Sequence, residues 1–512
     1  MIKRIILAIV SGALLALAFP PFDLGWLAWF GYVPLLYALD DKEGGRLKGL
    51  ATGFVFGLAF FLGTVYWVIH SMYYYGGVPY TTSALVMLLL VVYLSVYPAV
   101  FGLVFSSTVR QDKVLRLIAL PALWVALEYG RGYIFTGLPW VLTGYTQASY
   151  IPVVQIADTT GVWGVSFLVL IVNVAVFYNI EYLFKKTRSL PLKESAIALA
   201  LLVSVVSYGV MRVRQVDNET RLWNTMRVGI AQGSIDQSLK WDPSYQRATL
   251  DIYRALSLSA GKMGASLIVW PEAAIPFYFE PDKIRDGLIG DITRETGSFI
   301  LTGSPSYSYN PATDRIDYFN SAFLLSPKGE SIGKYDKVHL VPFGEYVPLK
   351  KFLPFVKKLT VGIGDFSVGP GPVPIDFEGG SIGTLVCFES IFPELSAGFV
   401  RNGATVLVNI TNDAWFGTTS APYQHFQMSI FRAVENKVFV LRSANTGISG
   451  VIDPVGRVRQ KTGLFKRDII VDTIGLKRGS PTFYTERGDV FAFGCLGMAA
   501  LFIISAATTR RK

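Results

Sequence analysis

The chain has 512 residues, of which 51% are hydrophobic and only 16% charged. This balance is more apolar than that of soluble globular proteins, and it indicates a membrane protein. The formal net charge is +10, but many of the cations lie in short loops beside apolar segments. Because no basic tract is interleaved with aromatic residues, we exclude a nucleic-acid-binding protein. Of the two cysteines, Cys387 and Cys495, the second lies in a C-terminal apolar segment, so we predict no disulfide. Neither the cysteines nor the histidines show metal-binding spacing, so we predict no metal site.

Apolar segments fill roughly the first two-fifths of the chain, and one more lies near its C-terminus. The clearest runs from Ala84 to Phe105 without a charge, long enough to cross a hydrocarbon core of about 30 Å. We predict about eight membrane spans, over residues 5–20, 25–39, 50–70, 83–106, 115–130, 159–181, 195–211 and 489–507.

The charges of the connecting loops predict the orientation of these spans. Lysine and arginine cluster in the loops at 3–4, 42–48, 110–116 and 185–193, whereas the alternate loops carry only Arg131 among cations. Since such positive loops stay in the cytoplasm, we predict that both termini are cytoplasmic. The chain then divides into a membrane region, a long polar region on the opposite side, and a last span with its tail, over residues 1–212, 213–488 and 489–512.

Two opposite charges, Glu128 and Arg131, lie three residues apart at an outer helix end. Residues at this spacing share one helix face, so we expect them to form a structural pair. The alternative is a functional role, because charges at membrane depth commonly have one.

The polar region, residues 213–488, alternates short apolar runs with helical stretches, which predicts an α/β layered domain. Its length, about 270 residues, is sufficient for a core without disulfides. Residues 342–372 are rich in proline, glycine and phenylalanine and do not fit this alternation, so we predict a functional loop such as a lid. The apolar runs cover 226–232, 265–270, 298–303, 321–326, 382–387, 404–410, 438–443 and 468–473.

Three residues of this region have chemistry that fits together. Cys387 in LVCFES and Glu272 in WPEAAIP each follow an apolar run, and Lys337 lies in KYDKVHLVPFGEYVP. A lone cysteine is often a core residue and single charges are usually solvated, but a thiolate, a carboxylate base and an ammonium form a coherent set. The ammonium would lower the pKa of the thiol, and the carboxylate would accept its proton. Lys337 and the backbone N–H of Phe388 would stabilise an oxyanion, so we predict an acyl-enzyme on Cys387.

The three motifs WPEAAIP, KVHLVPFGEYVP and LVCFES, in this order, resemble the Glu–Lys–Cys motifs of the nitrilase superfamily. Together with the apolar spans, QGSIDQSLKW (232–241) and NDAWFG (412–417), nearly the whole chain is similar to the bacterial apolipoprotein N-acyltransferases. This resemblance implies a multi-pass α-helical membrane domain of about eight transmembrane helices and an α/β nitrilase-like αββα sandwich. It also implies location in the bacterial inner membrane, with the catalytic domain in the periplasm.

The resemblance implies that Glu272 is the general base, Lys337 the oxyanion stabiliser and Cys387 the nucleophile. Phe388 stands where well-known members have tyrosine; the backbone donor survives this change, but a phenolic hydroxyl is lost. The further positions implied are supporting residues of the active site, Glu345, Phe388 and Glu389, and substrate-binding residues, Trp241, Asn412 and Trp415.

The implied reaction transfers the sn-1 acyl chain of a phospholipid, preferably phosphatidylethanolamine, through a thioester on Cys387. The acceptor is the α-amine of the S-diacylglyceryl-cysteine of an apolipoprotein, and no cofactor takes part. One alternative is a membrane-tethered nitrilase-type amidase with water as acceptor. A transporter or scaffold without catalysis is disfavoured, because all three catalytic positions are intact.

Overall fold

The structure is a computed structural model that describes residues 1–40, 45–109, 111–185, 189–279, 287–312, 314–346 and 366–509. The chain forms two compact units. The first comprises Met1–Ile69, Pro79–Val213 and Arg487–Lys512, and the second comprises His70–Val78 and Arg214–Glu486. A short stretch from the N-terminal part of the sequence therefore belongs to the second unit.

The first unit is built from helices, several of them long and apolar. Their apolar side chains are continuous around the helix and not confined to one stripe, as expected for segments whose surroundings are apolar on all sides. The helices cover Ile2–Leu17, Ala28–Gly31, Val33–Leu39, Gly45–Val65, Trp67–His70, Tyr80–Ser107, Lys113–Tyr133, Ile151–Val154, Ala157–Thr160, Val162–Lys185, Leu192–Thr220 and Val490–Thr509.

Within the described residues, five helices are long and apolar enough to cross a membrane, fewer than the eight spans predicted from the sequence. The first helix, Ile2–Leu17, has 16 residues and rises about 24 Å, which is short for a hydrocarbon core of about 30 Å. Helix Lys113–Tyr133 carries charged side chains near both ends. The helices that qualify support membrane association, and they are Gly45–Val65, Tyr80–Ser107, Val162–Phe184, Leu192–Thr220 and Val490–Thr508.

The predicted pair of Glu128 and Arg131 is wrong, although both side chains are buried. Glu128 Oε1 accepts hydrogen bonds from the backbone N–H and the hydroxyl of Thr143, both at 2.7 Å. Arg131 donates to the carbonyl of Trp140 at 2.6 Å, and its guanidinium lies 5.4 Å from the centre of the Phe61 ring. Each side chain therefore bonds to neighbouring groups instead of directly to the other, and the second oxygen of Glu128 is buried without a hydrogen-bond partner among the described residues.

The second unit contains two six-stranded sheets, with the strand orders β12-β1-β2-β3-β4-β5 and β11-β10-β9-β8-β7-β6. The strands are β1 Asn224–Gln232, β2 Leu267–Val269, β3 Phe299–Asn310, β4 Arg315–Leu325, β5 Ser331–Asp336, β6 Ile375–Phe377, β7 Gly380–Val386, β8 Val406–Thr411, β9 Val440–Ala444, β10 Gly450–Ile452, β11 Val458–Lys461 and β12 Asp468–Leu476. Its helices are Gln246–Lys262, Leu288–Thr296, Pro393–Arg401, Ala421–Asn436 and Phe483–Arg487.

Three parallel strands form the centre of each sheet, β1, β2 and β3 in one and β7, β8 and β9 in the other. The sheets pack face to face, β1 on β9 and β4 on β7, while helices cover the outer faces. Strand β8 is buried along its whole length, as is usual for parallel strands covered on both sides. The layering confirms the predicted αββα sandwich.

The end of β2 is fixed by packing just before the Glu272 position. Trp270 is fully buried, stacks on Tyr253 at 5.0 Å and donates its indole N–H to Ser257 at 2.9 Å. On β3, Gly303 lies so close that a Cβ there would be 2.8 Å from Glu272 Cα. A glycine at this position lets the backbone carrying Glu272 approach β3.

We predict that Gly303→Ala destabilises the protein by roughly 1–3 kcal/mol, because the added methyl group collides with backbone atoms that cannot rotate away. Thermal unfolding of the purified protein measures the change. Gly463→Ala is the matched control, since its Cβ would meet only the flexible side chain of Lys466. Equal melting temperatures for the two variants would contradict the close approach.

Candidate active site

Strand ends bring Glu272, Lys337 and Cys387 together in the second unit. Glu272 follows β2, Lys337 directly follows β5, and Cys387 directly follows β7. All three are buried, with 8%, 1% and 9% of their surface exposed. Since strand ends face the crevice of an open α/β layer, these buried polar groups converge where a substrate could be enclosed.

A single asparagine connects the two carboxylates nearest to the lysine. The side-chain amide of Asn320 donates to Glu272 at 2.8 Å and to Glu345 at 2.9 Å. The other oxygen of Glu272 accepts the backbone N–H of Asn412 at 3.0 Å. Both oxygens of the Glu272 carboxylate are therefore held in place, which suits a base that must be aimed at one proton.

The ammonium of Lys337 is paired with Glu345 at 2.9 Å. Burial alone would lower the pKa of Lys337, but the attraction of Glu345 and then of Glu272 raises it above its usual value. Lys337 is consequently a buried cation at neutral pH, which is the property that an oxyanion stabiliser needs.

Glu389 joins the strand end before Cys387 to the segment after Lys337. One of its oxygens accepts from the hydroxyl of Tyr335 at 2.8 Å and the N–H of Val338 at 2.7 Å, and the other accepts from the N–H of Val386 at 2.7 Å. Burial raises the pKa of Glu389 to about 7, against the opposing effects of Lys337 and these N–H donors. Glu389 therefore fixes the backbone before Cys387 relative to the backbone after Lys337.

The thiol of Cys387 lies on a backbone with φ of +53°, a left-handed conformation that is uncommon for residues other than glycine. Burial, and after it the charge of Glu272, raise the pKa of this thiol, while Lys337 opposes them. Lys337 does act to lower the pKa of the thiol, as expected, but the loss of hydration and the charge of Glu272 outweigh it. The thiol is therefore protonated at neutral pH and requires a base when it reacts.

The carbonyl of Cys387 is held by three buried side chains. The Ser390 hydroxyl and the Asn409 amide donate to it at 3.1 and 3.3 Å, and His425 Nε2 lies 3.2 Å away. The uncommon backbone of the cysteine is thus fixed through its carbonyl.

The ring of His425 is in turn held by charged groups. Its Nδ1 lies 3.0 Å from Asp413, which is paired with Arg442 at 2.8 Å. Burial and the Arg442 charge lower the pKa of His425, whereas Arg442 and His425 together lower that of Asp413 well below its usual range. This buried cluster supports the backbone of the cysteine from the second sheet.

Two family models match the chain, one on each part of the sequence. "Apolipoprotein N-acyltransferase N-terminal domain" matches residues 11–175, and "Carbon-nitrogen hydrolase" matches residues 227–482. The apolipoprotein N-acyltransferase of Geobacter metallireducens is 45% identical over 509 residues, 99% of this chain and 95% of that protein. The chain belongs to the apolipoprotein N-acyltransferase family.

More distant apolipoprotein N-acyltransferases align over most of their length as well. The Rickettsia typhi protein is 33% identical over 96% of this chain and 95% of its own. Among solved structures, Saccharomyces cerevisiae Nit3, a member of branch 10 of the nitrilase superfamily, is similar over 52% of this chain and 94% of its own. Its identity of 21% and TM-score of 0.37 are too low for a functional comparison.

The remaining positions that similarity to the apolipoprotein N-acyltransferases suggested lie around this centre. Phe388 contacts the ring of Phe392 at 5.2 Å. Trp241 is 39% exposed, so its indole is accessible. Asn412 is buried, and its side-chain amide donates to Gln237 at 2.6 Å. The supporting role of Phe388 and the substrate-binding roles of Trp241 and Asn412 stay predictions.

Trp415 is held by the short stretch His70–Val78, which belongs to the same unit. The Ser71 hydroxyl donates to the carbonyl of Trp415 at 2.8 Å, and the Tyr75 ring lies 5.4 Å from the indole in an edge-on arrangement. In this member of the apolipoprotein N-acyltransferase family, the NDAWFG segment is thus fixed by residues more than 300 positions away.

Sequence reasoning missed Asn320, Asn409, His425 and Arg442. They lie within strands or a helix, with no turn or motif beside them that would indicate chemistry. The available signal was a charged or amide residue inside an otherwise apolar run, as in VLVNI and VFVLRS, because buried polar groups of this kind are normally paired. Most of the loop predicted over residues 342–372 lies outside the described residues, since residues 347–365 are not among them.

We predict that Arg442→Met lowers the free energy of unfolding by roughly 3–5 kcal/mol, because it leaves the Asp413 carboxylate buried without its guanidinium partner. Chemical denaturation of the purified protein measures this loss. Arg459→Met is the matched control: Arg459 pairs with Asp472 at 2.8 Å but is 39% exposed, so we expect about 0–1 kcal/mol. A loss as small as that of the control would show that the buried pair is dispensable.

Proposed function

We propose that this protein transfers a fatty acyl chain from a phospholipid to the N-terminal amine of a lipoprotein. The observation that carries the proposal is the convergence of Glu272, Lys337 and Cys387 at three strand ends in a chain that aligns over 99% of its length with an apolipoprotein N-acyltransferase. Membrane association and lipid-bearing substrates agree with the five apolar helices. We propose phosphatidylethanolamine as the donor.

In the first half-reaction, Glu272 accepts the thiol proton and the sulfur of Cys387 attacks the sn-1 ester carbonyl. The resulting oxyanion is stabilised by the Lys337 ammonium and the backbone N–H of Phe388. When the ester C–O bond breaks, Glu272 returns its proton to the lysophospholipid oxygen. The acyl chain remains on Cys387 as a thioester.

In the second half-reaction, the α-amine of the diacylglyceryl-cysteine attacks this thioester. Glu272 accepts a proton from the amine, the C–S bond breaks, and the thiolate of Cys387 is protonated again. The product is an amide. A thioester is reactive enough toward an amine that no further activation is required, so both steps use the same base and the same cation.

The roles of the surrounding residues follow from their contacts. Glu345 keeps Lys337 charged and in place, and Glu389 fixes the chain on both sides of the site. Exposed Trp241 and the held Trp415 are proposed to contact the acyl chains or the lipoprotein, since indole rings bind apolar groups while donating a hydrogen bond. We propose that Asn412 affects substrate binding indirectly, because its backbone N–H holds the Glu272 carboxylate in place.

For the membrane arrangement we propose eight spans with both termini in the cytoplasm. In this arrangement residues 1–212 and 489–512 are the membrane regions, and residues 213–488 form the periplasmic catalytic domain at the bacterial inner membrane. The arginine and lysine bias of the loops supports the orientation.

We predict that the purified protein gains the mass of one fatty acyl chain on incubation with phosphatidylethanolamine vesicles, and that Cys387→Ala and Cys387→Ser do not. An alanine has no nucleophile, and a serine hydroxyl ionises far less readily than a thiol. Intact-mass spectrometry measures the adduct, and Cys495→Ala is the control that should still acylate.

Addition of a diacylated lipopeptide should remove the adduct and yield the triacylated peptide. An adduct on Cys387→Ala would exclude the thioester. Loss of the adduct to water at the same rate without lipopeptide would instead indicate the nitrilase-type hydrolase.

We predict that a reporter fused after Arg221 is active on the periplasmic side and one fused after Lys512 on the cytoplasmic side. The expectation rests on the loop charges. Paired alkaline phosphatase and fluorescent-protein fusions at each position measure both sides independently. Cytoplasmic activity of the Arg221 fusion would place Cys387 in the wrong compartment for the proposed function.

A further inference from the structure

A second buried lysine lies beside the proposed active site and is not used in the steps above. Lys240 is only 2% exposed, and its ammonium donates to the backbone carbonyl of Glu272 at 3.0 Å. It directly precedes Trp241 in QGSIDQSLKW. A lysine is rarely buried to this extent unless it is paired or functional, so its location requires an explanation.

The segment that carries Lys240 is held firmly against the site. At its start, the backbone of Ile235 exchanges two hydrogen bonds with the side chain of Asn445, at 2.8 and 2.9 Å. In its middle, Gln237 accepts the side-chain amide of Asn412 at 2.6 Å. Since the backbone N–H of Asn412 also donates to the Glu272 carboxylate, the base is held at its carboxylate and at its carbonyl by one connected assembly.

The charges at the site explain why a second cation is useful. Glu272, Glu345 and Glu389 are acidic groups in or beside the pocket, and Lys337 is already paired with Glu345. When Cys387 reacts, the thiolate adds further negative charge to this buried group. Lys337 and Lys240 are two cations against these three carboxylates, so the loss of Lys240 would leave a single cation beside Cys387 and disfavour a thiolate there.

We propose that Lys240, as an ammonium ion, is a positioning residue that fixes the backbone of Glu272 and supplies the second positive charge of the site. The inference deepens the proposed acyl transfer and rests on it for its biological meaning. The charge of Lys240 favours ionisation of the Cys387 thiol through Glu272, whether or not acyl transfer follows.

This charge is sensitive to pH within an accessible range. Burial lowers the pKa of Lys240 to about 8, although the titratable groups that face it, Glu272 and Cys387, oppose the shift. The ammonium is therefore present below about pH 8 and is lost as the pH rises through that value. A role that depends on the charge must weaken over the same range, whereas a purely structural role would not.

The test compares the alkylation rate of Cys387 by iodoacetamide in the full-length protein with and without Lys240→Met, in a Cys495→Ala background so that one thiol remains. We expect the substitution to slow alkylation about tenfold at pH 7, equivalent to one pKa unit, and the two rates to converge above about pH 9. Lys240→Arg keeps its charge at high pH, so its ratio to Lys240→Met should stay near tenfold throughout. Lys328→Met, at an exposed loop position, is the matched control and should equal the parent protein.

Equal rates at pH 7, or a ratio that does not change between pH 7 and 9, would overturn the inference. If thermal unfolding shows that Lys240→Met does not fold, the parent protein is compared with Lys240→Arg across the same pH range. Alkylation rates that diverge above pH 8 support a role for the Lys240 charge, and parallel rates overturn it. Alkylation needs no phospholipid, so it is independent of the proposed function. A parent protein that alkylates as expected but gains no acyl chain from phosphatidylethanolamine would refute the acyl transfer and leave the role of Lys240 intact.

Discussion

Glu272 is the residue on which the rest of the site depends, because three separate segments of the chain are hydrogen-bonded to it. Asn320 on β4 and the N–H of Asn412 after β8 hold its two oxygens, and Lys240 holds its carbonyl. Asn320 and Asn412 belong to different sheets, so the face-to-face packing of the sheets also sets the position of the Glu272 carboxylate. Gly303 contributes by allowing the backbone to lie close to β3.

Much of the architecture could be predicted from the sequence because it follows from apolar patterning. The eight apolar runs of the second unit all lie on strands, and the ends of β2 and β7 place Glu272 and Cys387 as expected. The strands that were missed, among them β5 and β11, have the sequences SIGKYD and VRQK. They lie at or near the edges of their sheets, where one side is solvated and an apolar run is not required.

The site was predicted less completely than the fold, for a physical reason. Motifs at strand ends indicate the candidate reacting groups, whereas Asn409 and His425 contact the carbonyl of Cys387 from within regular elements, and Arg442 contacts both of them in turn. Their importance comes from contacts between distant residues, such as the pair of Arg442 and Asp413, and a linear pattern does not contain those distances. The pKa of Cys387 illustrates the same limit, because the degree of burial decides its direction.

The stretch His70–Val78 has a consequence for dissecting this protein. Because it belongs to the same compact unit as Arg214–Glu486, the folding unit is discontinuous along the chain. A soluble fragment that begins after the helix Leu192–Thr220 would lack Ser71 and Tyr75, and Trp415 would lose both the hydrogen bond and the ring that hold it. Excision of the sandwich would thus loosen the segment that carries Asn412, whose backbone N–H holds one oxygen of the Glu272 carboxylate, although Glu272, Lys337 and Cys387 were all retained.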